Sequence, residues 1–296
     1  MNIIIFGTGI AGRAIYRKLK QQHQIIRFID NNPILNNTKY DNINISSVNH
    51  IANIKFDKIA ISGVWINEMK EQLLDLDIPE NKIMIIEDNS LTFSTDSRVT
   101  TTDNIIRELV NIFKNESISY CIEGSSLLCL LRKQNLSDVP DVDILIKSQK
   151  DLQTIWDNIN SNPILNKNTL TKIIYKEDRI LTKKDQIDKI IITSKSDPTI
   201  TEPTVIDINL AINIGEYYIM DYENNYYLYF NKEYVDGKNY FQYKDIELLI
   251  PYKAEEYVKL LYGATWNKPA KKWSFKDYGN LLSSNDLKKM LQKKKR

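Results

Sequence analysis

The stretch Asp138-Val139-Pro140-Asp141-Val142-Asp143-Ile144 places two acidic residues two positions apart at the start of an apolar run. The run continues through Leu145 and Ile146, which is typical of a β-strand. Side chains two positions apart in a strand point to the same face of the sheet. Asp141 and Asp143 are therefore predicted to direct two carboxylates toward one point.

A third acidic residue, Asp207, interrupts the apolar run from Val205 to Leu210. Because a carboxylate is costly to bury in such a run without a partner, we expect Asp207 to join Asp141 and Asp143 from a neighbouring strand. Three oxygen ligands suit Mg²⁺ or Mn²⁺. The alternatives are a surface-facing Asp207 on an amphipathic strand and an ordinary surface Asp-x-Asp pair.

Gly124 and Ser125 follow another short apolar run and precede a predicted helix. Glycine lets the backbone approach a phosphate, Ser125 can donate a hydrogen bond to it, and a helix start favours anions. Arg132, further along the segment, is predicted to bind the same phosphates with its planar guanidinium. Its alternative role is that of a surface arginine on a helix.

Together these pieces resemble the signature of the nucleotidyltransferase-fold superfamily, and in particular the LicD-type phosphocholine transferases. The segment Gly124-Ser125-Ser126-Leu127-Leu128-Cys129-Leu130-Leu131-Arg132 is similar to the Gly-Thr-Leu-Leu-x-x-x-Arg segment of that family. A rear element also matches, with Pro251 followed by Tyr262-Gly263-Ala264-Thr265-Trp266-Asn267-Lys268-Pro269. The resemblance covers roughly residues 103–278.

This resemblance implies an α+β nucleotidyltransferase-like domain that takes a CDP-linked donor and a glycan or lipid-linked glycan acceptor. Tyr262 and Trp266 would stack on the donor or acceptor or enclose a quaternary ammonium by cation–π contact; the alternative is a hydrophobic anchor at a helix end. Lys133-Gln134-Asn135 departs from the family, which often has a histidine here and more acids before its Asp-x-Asp. The substituent on the donor phosphate therefore stays open.

The chain begins with a different pattern, in which an apolar run over residues 2–6 leads into Gly7-Thr8-Gly9-Ile10-Ala11-Gly12. A predicted helix and a second strand ending at Asp30 follow, which together predict an α/β, Rossmann-like parallel sheet. Gly7, Gly9 and Gly12 would admit a phosphate, and Asp30 would accept from a ribose hydroxyl. The segment through Asn31-Asn32-Pro33 resembles Rossmann-like domains appended to bacterial surface-polysaccharide enzymes.

Two roles are open for this half: a nucleotide or nucleotide-sugar site, or a module that has lost its ligand and only aids assembly. A dehydrogenase is disfavoured, because the half is short for paired dinucleotide lobes. We predict a Rossmann-like domain over residues 1–88, a polar linker over 89–102, and the LicD-like catalytic domain over 103–296. A helix is expected to begin near Asp103.

Composition limits the remaining possibilities. The net charge of +2 gives no nucleic-acid footprint, and no run of residues is long and apolar enough to span a membrane. Cys121 and Cys129 are expected to be buried thiols in a reducing cytoplasm. The basic run ending in Lys293-Lys294-Lys295-Arg296 is expected to fray in solvent, or to contact anionic lipid at the inner face of the membrane.

These observations predict a cytoplasmic, metal-dependent transferase. It would move a phosphate-bearing substituent, such as phosphocholine, phosphoethanolamine, a polyol phosphate or a phosphonate, to a sugar of a bacterial surface glycan. Asp207 would also accept the proton of the acceptor hydroxyl. Two alternatives remain: a nucleotidyltransferase that releases pyrophosphate, and a non-enzymatic nucleotide-sugar binding or assembly protein.

Overall fold

The computed structural model describes residues 1–63, 65–87, 90–91, 94–175, 181, 186–195, 203–222, 226–268 and 274–293. Two compact units are present: Met1–Thr95 forms the first, and Asp96–Lys195 with Pro203–Arg296 forms the second. Both contain mixed helix and sheet structure with parallel strand pairs. A mixed α/β fold with a separate N-terminal sheet is thereby confirmed.

The first unit is built on a six-stranded sheet. Its strands are β1 (Asn2–Phe6), β2 (Gln24–Asp30), β3 (Lys39–Tyr40), β4 (Ile43–Ser47), β5 (Lys58–Ile61) and β6 (Ile83–Ile85), and its helices are α1 (Ile10–Leu19) and α2 (Ile66–Asp75). The strand order is β3-β4-β2-β1-β5-β6, and every neighbouring pair is parallel except β3 with β4. Strands β3 and β4 were not predicted from the sequence.

Both faces of this sheet are covered by apolar side chains. Ile3 and Ile5 of β1 pack into one buried cluster, and Ile4 and Phe6 pack into another on the opposite face. The period of two along a strand explains the division. A strand buried on both faces reads as a continuous apolar run, as β1 does.

The second unit begins with a long helix that corrects the predicted linker. Helix α3 (Asp96–Asn115) includes residues that were assigned to the linker 89–102, and it starts before Asp103. The buried Arg98 side chain donates to the carbonyls of Val139 and Pro140, at 2.9 Å each. These tertiary contacts draw the polar segment into a helix, and local sequence does not reveal them.

Further helices and strands complete the second unit. The helices are α4 (Gly124–Leu131), α5 (Gln149–Ser161), α6 (Pro163–Asn168), α7 (Lys232–Asp236), α8 (Ala254–Tyr262) and α9 (Ser284–Lys293). The strands are β7 (Tyr120–Ile122), β8 (Val142–Ile146), β9 (Thr169–Tyr175), β10 (Ile187–Ser194), β11 (Val205–Ile214), β12 (Tyr217–Asp221), β13 (Tyr226–Asn231), β14 (Asn239–Tyr243), β15 (Ile246–Ile250) and β16 (Leu281–Ser283).

Strand β11 is the centre of the main sheet in this unit. It pairs in parallel with β8 and antiparallel with β10 and β12, and the sheet extends to β9 on one side and to β13 and β16 on the other. In β10, Ile190 and Ile192 are fully buried while Lys189 and Ile191 are half-buried. Helix α5 packs on β10. The sheet therefore has a packed face and a more open, polar face.

The polar stretch 161–197 is more regular than its sequence suggests. The sequence there predicts irregular structure with short strands such as residues 189–193. That strand is confirmed within β10, but the stretch also contains α6 and β9. The alternation of residues 217–229 around Glu223-Asn224-Asn225 predicts a hairpin. The antiparallel pairing of β12 with β13 confirms it, and the predicted turn lies outside the described residues. Cys121 and Cys129 are buried free thiols, as predicted. None of the helices within the described ranges is long and apolar enough to cross a membrane.

Candidate metal and phosphate site

The turn between β7 and α4 places Gly124 against the carboxylate of Asp143. The amide of Glu123 donates to the carbonyl of Asp143 at 3.1 Å, which joins the turn to β8. Gly124 has a φ of +58°, and a Cβ at this position would lie 3.1 Å from Asp143 Oδ2. Both the left-handed backbone and the close approach favour glycine here.

Ser126 fixes the Asp-x-Asp strand to this helix, while the donation of Ser125 to a phosphate stays a prediction. The buried Ser126 hydroxyl accepts from the amide of Asp143 at 2.8 Å and donates to the carbonyl of Asp141 at 3.4 Å. Ser125 is half-buried. Both serines lie in the first turn of α4, and the sequence alone does not distinguish the two.

Three carboxylates converge on the open face of the sheet. Asp143 in β8 lies directly opposite Asp207 in β11 in the parallel register, and Asp141 precedes β8. One carboxylate oxygen from each of the three lies within 4.8 Å of the others. The structure therefore brings together the three residues that the sequence predicted as metal ligands.

The electrostatic environment of this carboxylate cluster is unfavourable without a cation. Burial raises the pKa of Asp143 well above its usual range, and the charges of Asp141, Glu123 and Asp207 raise it further. Burial also raises the pKa of Asp141, followed by repulsion from Asp207. Three hard oxygens under mutual repulsion form a suitable ligand set for Mg²⁺ or Mn²⁺, since a divalent cation offsets both effects. The residues present therefore fit the metal that was predicted.

Glu123 is a fourth acid at this point, which sequence reasoning missed. It is only 3% exposed, and burial raises its pKa to about 7, with the Gly124 amide acting in the opposite direction. The positive charge of Lys189 also offsets part of the rise in the pKa of Glu123. The available signal was a charged residue placed directly between a buried strand and a glycine turn.

Lys189 and Asn209 complete the polar face, and they were also missed. Asn209 lies opposite Lys189 in the β10–β11 register, and its side-chain amide donates to Asp143 Oδ1 at 3.5 Å. The ammonium of Lys189 forms an ion pair with Asp207 Oδ2. Lys189 therefore supplies positive charge directly at the carboxylate cluster.

Arg132 is engaged with the backbone of the rear element. Its guanidinium donates to the carbonyl of Trp266 and, at 3.1 Å, to that of Lys268. Burial lowers the pKa of Arg132. These contacts give Arg132 a structural task in holding the segment after α8; its binding of donor phosphates stays a prediction.

Tyr262 and Trp266 have aromatic or apolar neighbours in the second unit. The hydroxyl groups of Tyr262 and Tyr278 are 3.5 Å apart, and the ring centroids are 5.5 Å apart. Trp266 is half-buried and packs against the main core. Both residues therefore serve as anchors at the end of α8, and stacking on a ligand stays a prediction. Pro269 of the rear element lies outside the described residues.

The three glycines of the first unit differ in what they contact. Gly7 has a φ of +91°, and a Cβ on Gly12 would lie 1.9 Å from the Gly7 carbonyl oxygen. The turn itself therefore requires Gly7 and Gly12. A Cβ on Gly9 would meet nothing within 4 Å, and its φ of −70° suits any residue. The described residues therefore give no steric reason for a glycine at Gly9.

Asp30 lies at the end of β2, as predicted, but protein donors already occupy its carboxylate. Its Oδ2 accepts from the amide of Thr8 at 2.8 Å and from the Thr8 hydroxyl at 2.6 Å. Its Oδ1 accepts from the amide of Asn32 at 2.8 Å. Asp30 therefore fixes the glycine turn, and its contact with a ribose stays a prediction.

Comparison with known proteins gives a match at the N-terminus and distant likenesses elsewhere. Residues 1–84 match the family described as C2185-like, N-terminal. Comparison with curated protein sequences finds no match.

Among solved structures, the lincosamide antibiotic adenylyltransferase LnuA, bound to lincomycin, is 12% identical over 66% of this chain and 98% of that one, with a TM-score of 0.35. An oxidoreductase from Agrobacterium radiobacter in complex with NAD+, L-tartaric acid and magnesium is 9% identical over 86% of this chain and 79% of that one, with a TM-score of 0.23. These low scores indicate no more than a distant likeness.

Proposed function

We propose that the second unit is a metal-dependent phosphotransferase of the LicD type. It moves a substituted phosphate from a CDP-activated donor to a sugar hydroxyl of a bacterial surface glycan. The observation that carries the proposal is the convergence of Asp141, Asp143 and Asp207 next to a glycine turn at a helix start. The resemblance of the Gly-Ser segment and of the rear element to LicD-type transferases supports the choice of donor.

Each residue of the site has a task in this reaction. Asp141, Asp143 and Asp207 would hold Mg²⁺ or Mn²⁺, which when bound neutralises charge on the donor phosphates. The start of α4 adds the positive end of a helix dipole next to Asp143. Catalysis would rest on positioning and charge stabilisation, as is usual for phosphoryl transfer.

The chemical step exchanges one bond to phosphorus for another. The acceptor oxygen bonds to the phosphorus of the substituted phosphate, and the bond from that phosphorus to the bridging oxygen of the donor breaks, so that CMP leaves. The only two histidines of the sequence, His23 and His50, both lie in the first unit, so a carboxylate of the cluster would take the proton of the acceptor hydroxyl. Asp207 is our candidate for this acceptor.

The direct test measures the products. The protein is incubated with Mg²⁺, a panel of CDP-linked donors (choline, ethanolamine, glycerol and ribitol) and simple sugars, and CMP is followed by chromatography. Release of CMP that depends on both metal and sugar supports the proposal. Pyrophosphate released from a nucleoside triphosphate, with no CMP from any CDP-linked donor, would instead assign nucleotidyl transfer. Nucleotide binding with neither product formed in the presence of Mg²⁺ or Mn²⁺ would favour the non-enzymatic binding protein.

For the first unit we propose nucleotide or nucleotide-sugar binding at the glycine turn. The supporting observation is the open space around Gly9, at the start of α1, while Gly7 and Gly12 are required by the backbone. A phosphate that closely approaches the backbone would explain a glycine that the surrounding protein atoms do not require.

A further inference from the structure

Lys189 places a positive charge in direct contact with the carboxylate cluster. Asp143, Asp207 and Asn209 lie on one face because of the strand register, and Lys189 is opposite Asn209 on that face. The ion pair joins Lys189 Nζ to Asp207 Oδ2, with the two side chains 27% and 10% exposed. The pair is therefore largely removed from solvent, while the lysine retains access to the open face.

One ammonium offsets only one of three convergent negative charges. Lys189 also lowers the pKa of Asp141 and of Asp143, which places its influence on the whole cluster. A divalent cation and Lys189 would compete for Asp207, since the same carboxylate serves both. The flexible stem of a lysine allows its ammonium to change partners without movement of the strand.

We propose that Lys189 is a donor-binding residue that exchanges partners. It holds Asp207 in the metal-free protein, and it turns to an oxygen of the donor diphosphate when the carboxylates are occupied by a divalent cation. This inference rests on the proposed function of the second unit. Lysine binds phosphate as a point charge and needs no fixed orientation for this contact.

The test measures two affinities on the full chain by isothermal titration calorimetry. The first titrant is Mn²⁺ alone. The second is CDP, with and without saturating Mn²⁺, so that only the CDP binding that requires Mn²⁺ is assigned to the second unit. The variants are Lys189→Met, Lys189→Arg and, as a matched control, Lys172→Met. Lys172 is exposed on β9, opposite Ile191, and so lies on the same face but one strand further from the carboxylates.

Partner exchange predicts opposite changes in the two affinities. Lys189→Met should bind Mn²⁺ about two- to fivefold more tightly, the range expected for releasing a partly exposed ion pair. It should bind CDP about tenfold more weakly, because a charged hydrogen bond is lost. Lys189→Arg should recover most of the CDP affinity, and Lys172→Met should match the wild type in both titrations.

The outcomes separate this inference from the proposed function. If Lys189→Met binds Mn²⁺ with unchanged or weaker affinity, or binds CDP as the wild type does, the partner exchange is refuted and the pair is structural. If the wild type itself binds no Mn²⁺, the metal site is refuted and the proposed transfer is refuted with it. If Lys189→Met melts far below the wild type, the same two titrations are performed on Lys189→Gln.

Discussion

The two glycine turns of this chain, one in each unit, differ in how the neighbouring acid is satisfied. In the first unit, the acid beside the turn is Asp30, and Thr8 and Asn32 donate to both of its oxygens. In the second unit, the acid beside Gly124 is Asp143. Burial and the charges of three nearby acids raise the pKa of Asp143 well above its usual range. Protein donors therefore satisfy the acid at the first turn. The acids at the second turn repel one another, and a bound cation would offset that repulsion.

This difference shows which of the two motifs indicates a ligand more strongly. A glycine-rich turn can be explained by backbone geometry alone, as the contact between Gly12 and the Gly7 carbonyl shows. A buried group of acids has no such explanation, because each added charge raises the cost of burial. The carboxylate cluster is therefore better evidence for function than the glycine pattern.

The largest expected effect is the loss of transfer in Asp143→Asn. Removing one ligand charge should lower kcat by about 10²–10³-fold, by analogy with the loss of a key electrostatic group. The measurement is metal-dependent CMP release, with Asp157→Asn as a control, since Asp157 is an exposed aspartate on α5. Turnover of Asp143→Asn close to that of the wild type would end the carboxylate proposal.

The second prediction concerns the glycine turn of the first unit. Gly12→Ala should destabilise the first unit by about 3 kcal/mol, because a Cβ would lie 1.9 Å from a backbone oxygen and something must shift. Hydrogen exchange of amides in β1 and β2 reports the opening free energy of this unit separately. Protection equal to that of the wild type would show that the turn can relax around the added methyl.

The third prediction concerns the close approach at Gly124. Gly124→Ala should destabilise the second unit by about 1–2 kcal/mol from the left-handed backbone alone, with a further cost from the 3.1 Å approach to Asp143. The same change in an Asp143→Ala background isolates the backbone cost, because the carboxylate that the new Cβ would approach is then absent. Thermal melts should therefore show a larger loss from Gly124→Ala in the wild type than in the Asp143→Ala background, and equal losses would contradict the close approach.

The parts of this site that the sequence could predict depend on local geometry. The period of two in a strand predicts that Asp141 and Asp143 share a face, and the apolar run around Asp207 predicts a buried acid. Lys189 could not be identified in this way, because its contact with Asp207 depends on the register between β10 and β11. Register is set by tertiary pairing, which a single sequence does not show.

The same reason explains the errors in the predicted fold. The start of α3 was missed because the buried Arg98 side chain donates hydrogen bonds to the carbonyls of Val139 and Pro140, which are distant in sequence. The contacts of Arg132 with the carbonyls after α8 were likewise not foreseen, while its role as a phosphate ligand stays a prediction. Long polar side chains have several possible partners, and only the fold decides among them.

The fourth prediction tests whether the first turn has a ligand at all. Gly9→Val should leave stability unchanged, because its φ is ordinary and no atom of the described residues lies within 4 Å of the Cβ position. It should weaken nucleotide binding by about tenfold or more, the equivalent of one lost charged hydrogen bond. The assay is calorimetric titration with nucleoside diphosphates and nucleotide sugars. If none of them shows binding that Gly9→Val removes, the first unit is structural.

The smallest expected effect separates two members of the carboxylate cluster in the metal-free protein. Asp143 forms no ion pair with any other described residue, so Asp143→Asn mainly removes repulsion. The amide of Asn209, at 3.5 Å, is a weak polar neighbour of Asp143. Asp207→Asn relieves the same repulsion but also breaks the pair with Lys189. In the presence of a chelator, Asp143→Asn should melt at or above the wild type, and Asp207→Asn should melt below Asp143→Asn.

The expected gap between the two variants is about 1 kcal/mol, the upper range for a partly exposed ion pair, or about 2–4 °C for a domain of this size. Adding Mg²⁺ should stabilise the wild type more than either variant, since each variant has lost one ligand charge. A double variant, Asp207→Asn with Lys189→Met, should recover part of the gap, because no ammonium is then left without its partner. If Asp143→Asn melts well below the wild type in chelator, Asp143 is a structural acid, and repulsion is not the dominant force at this site.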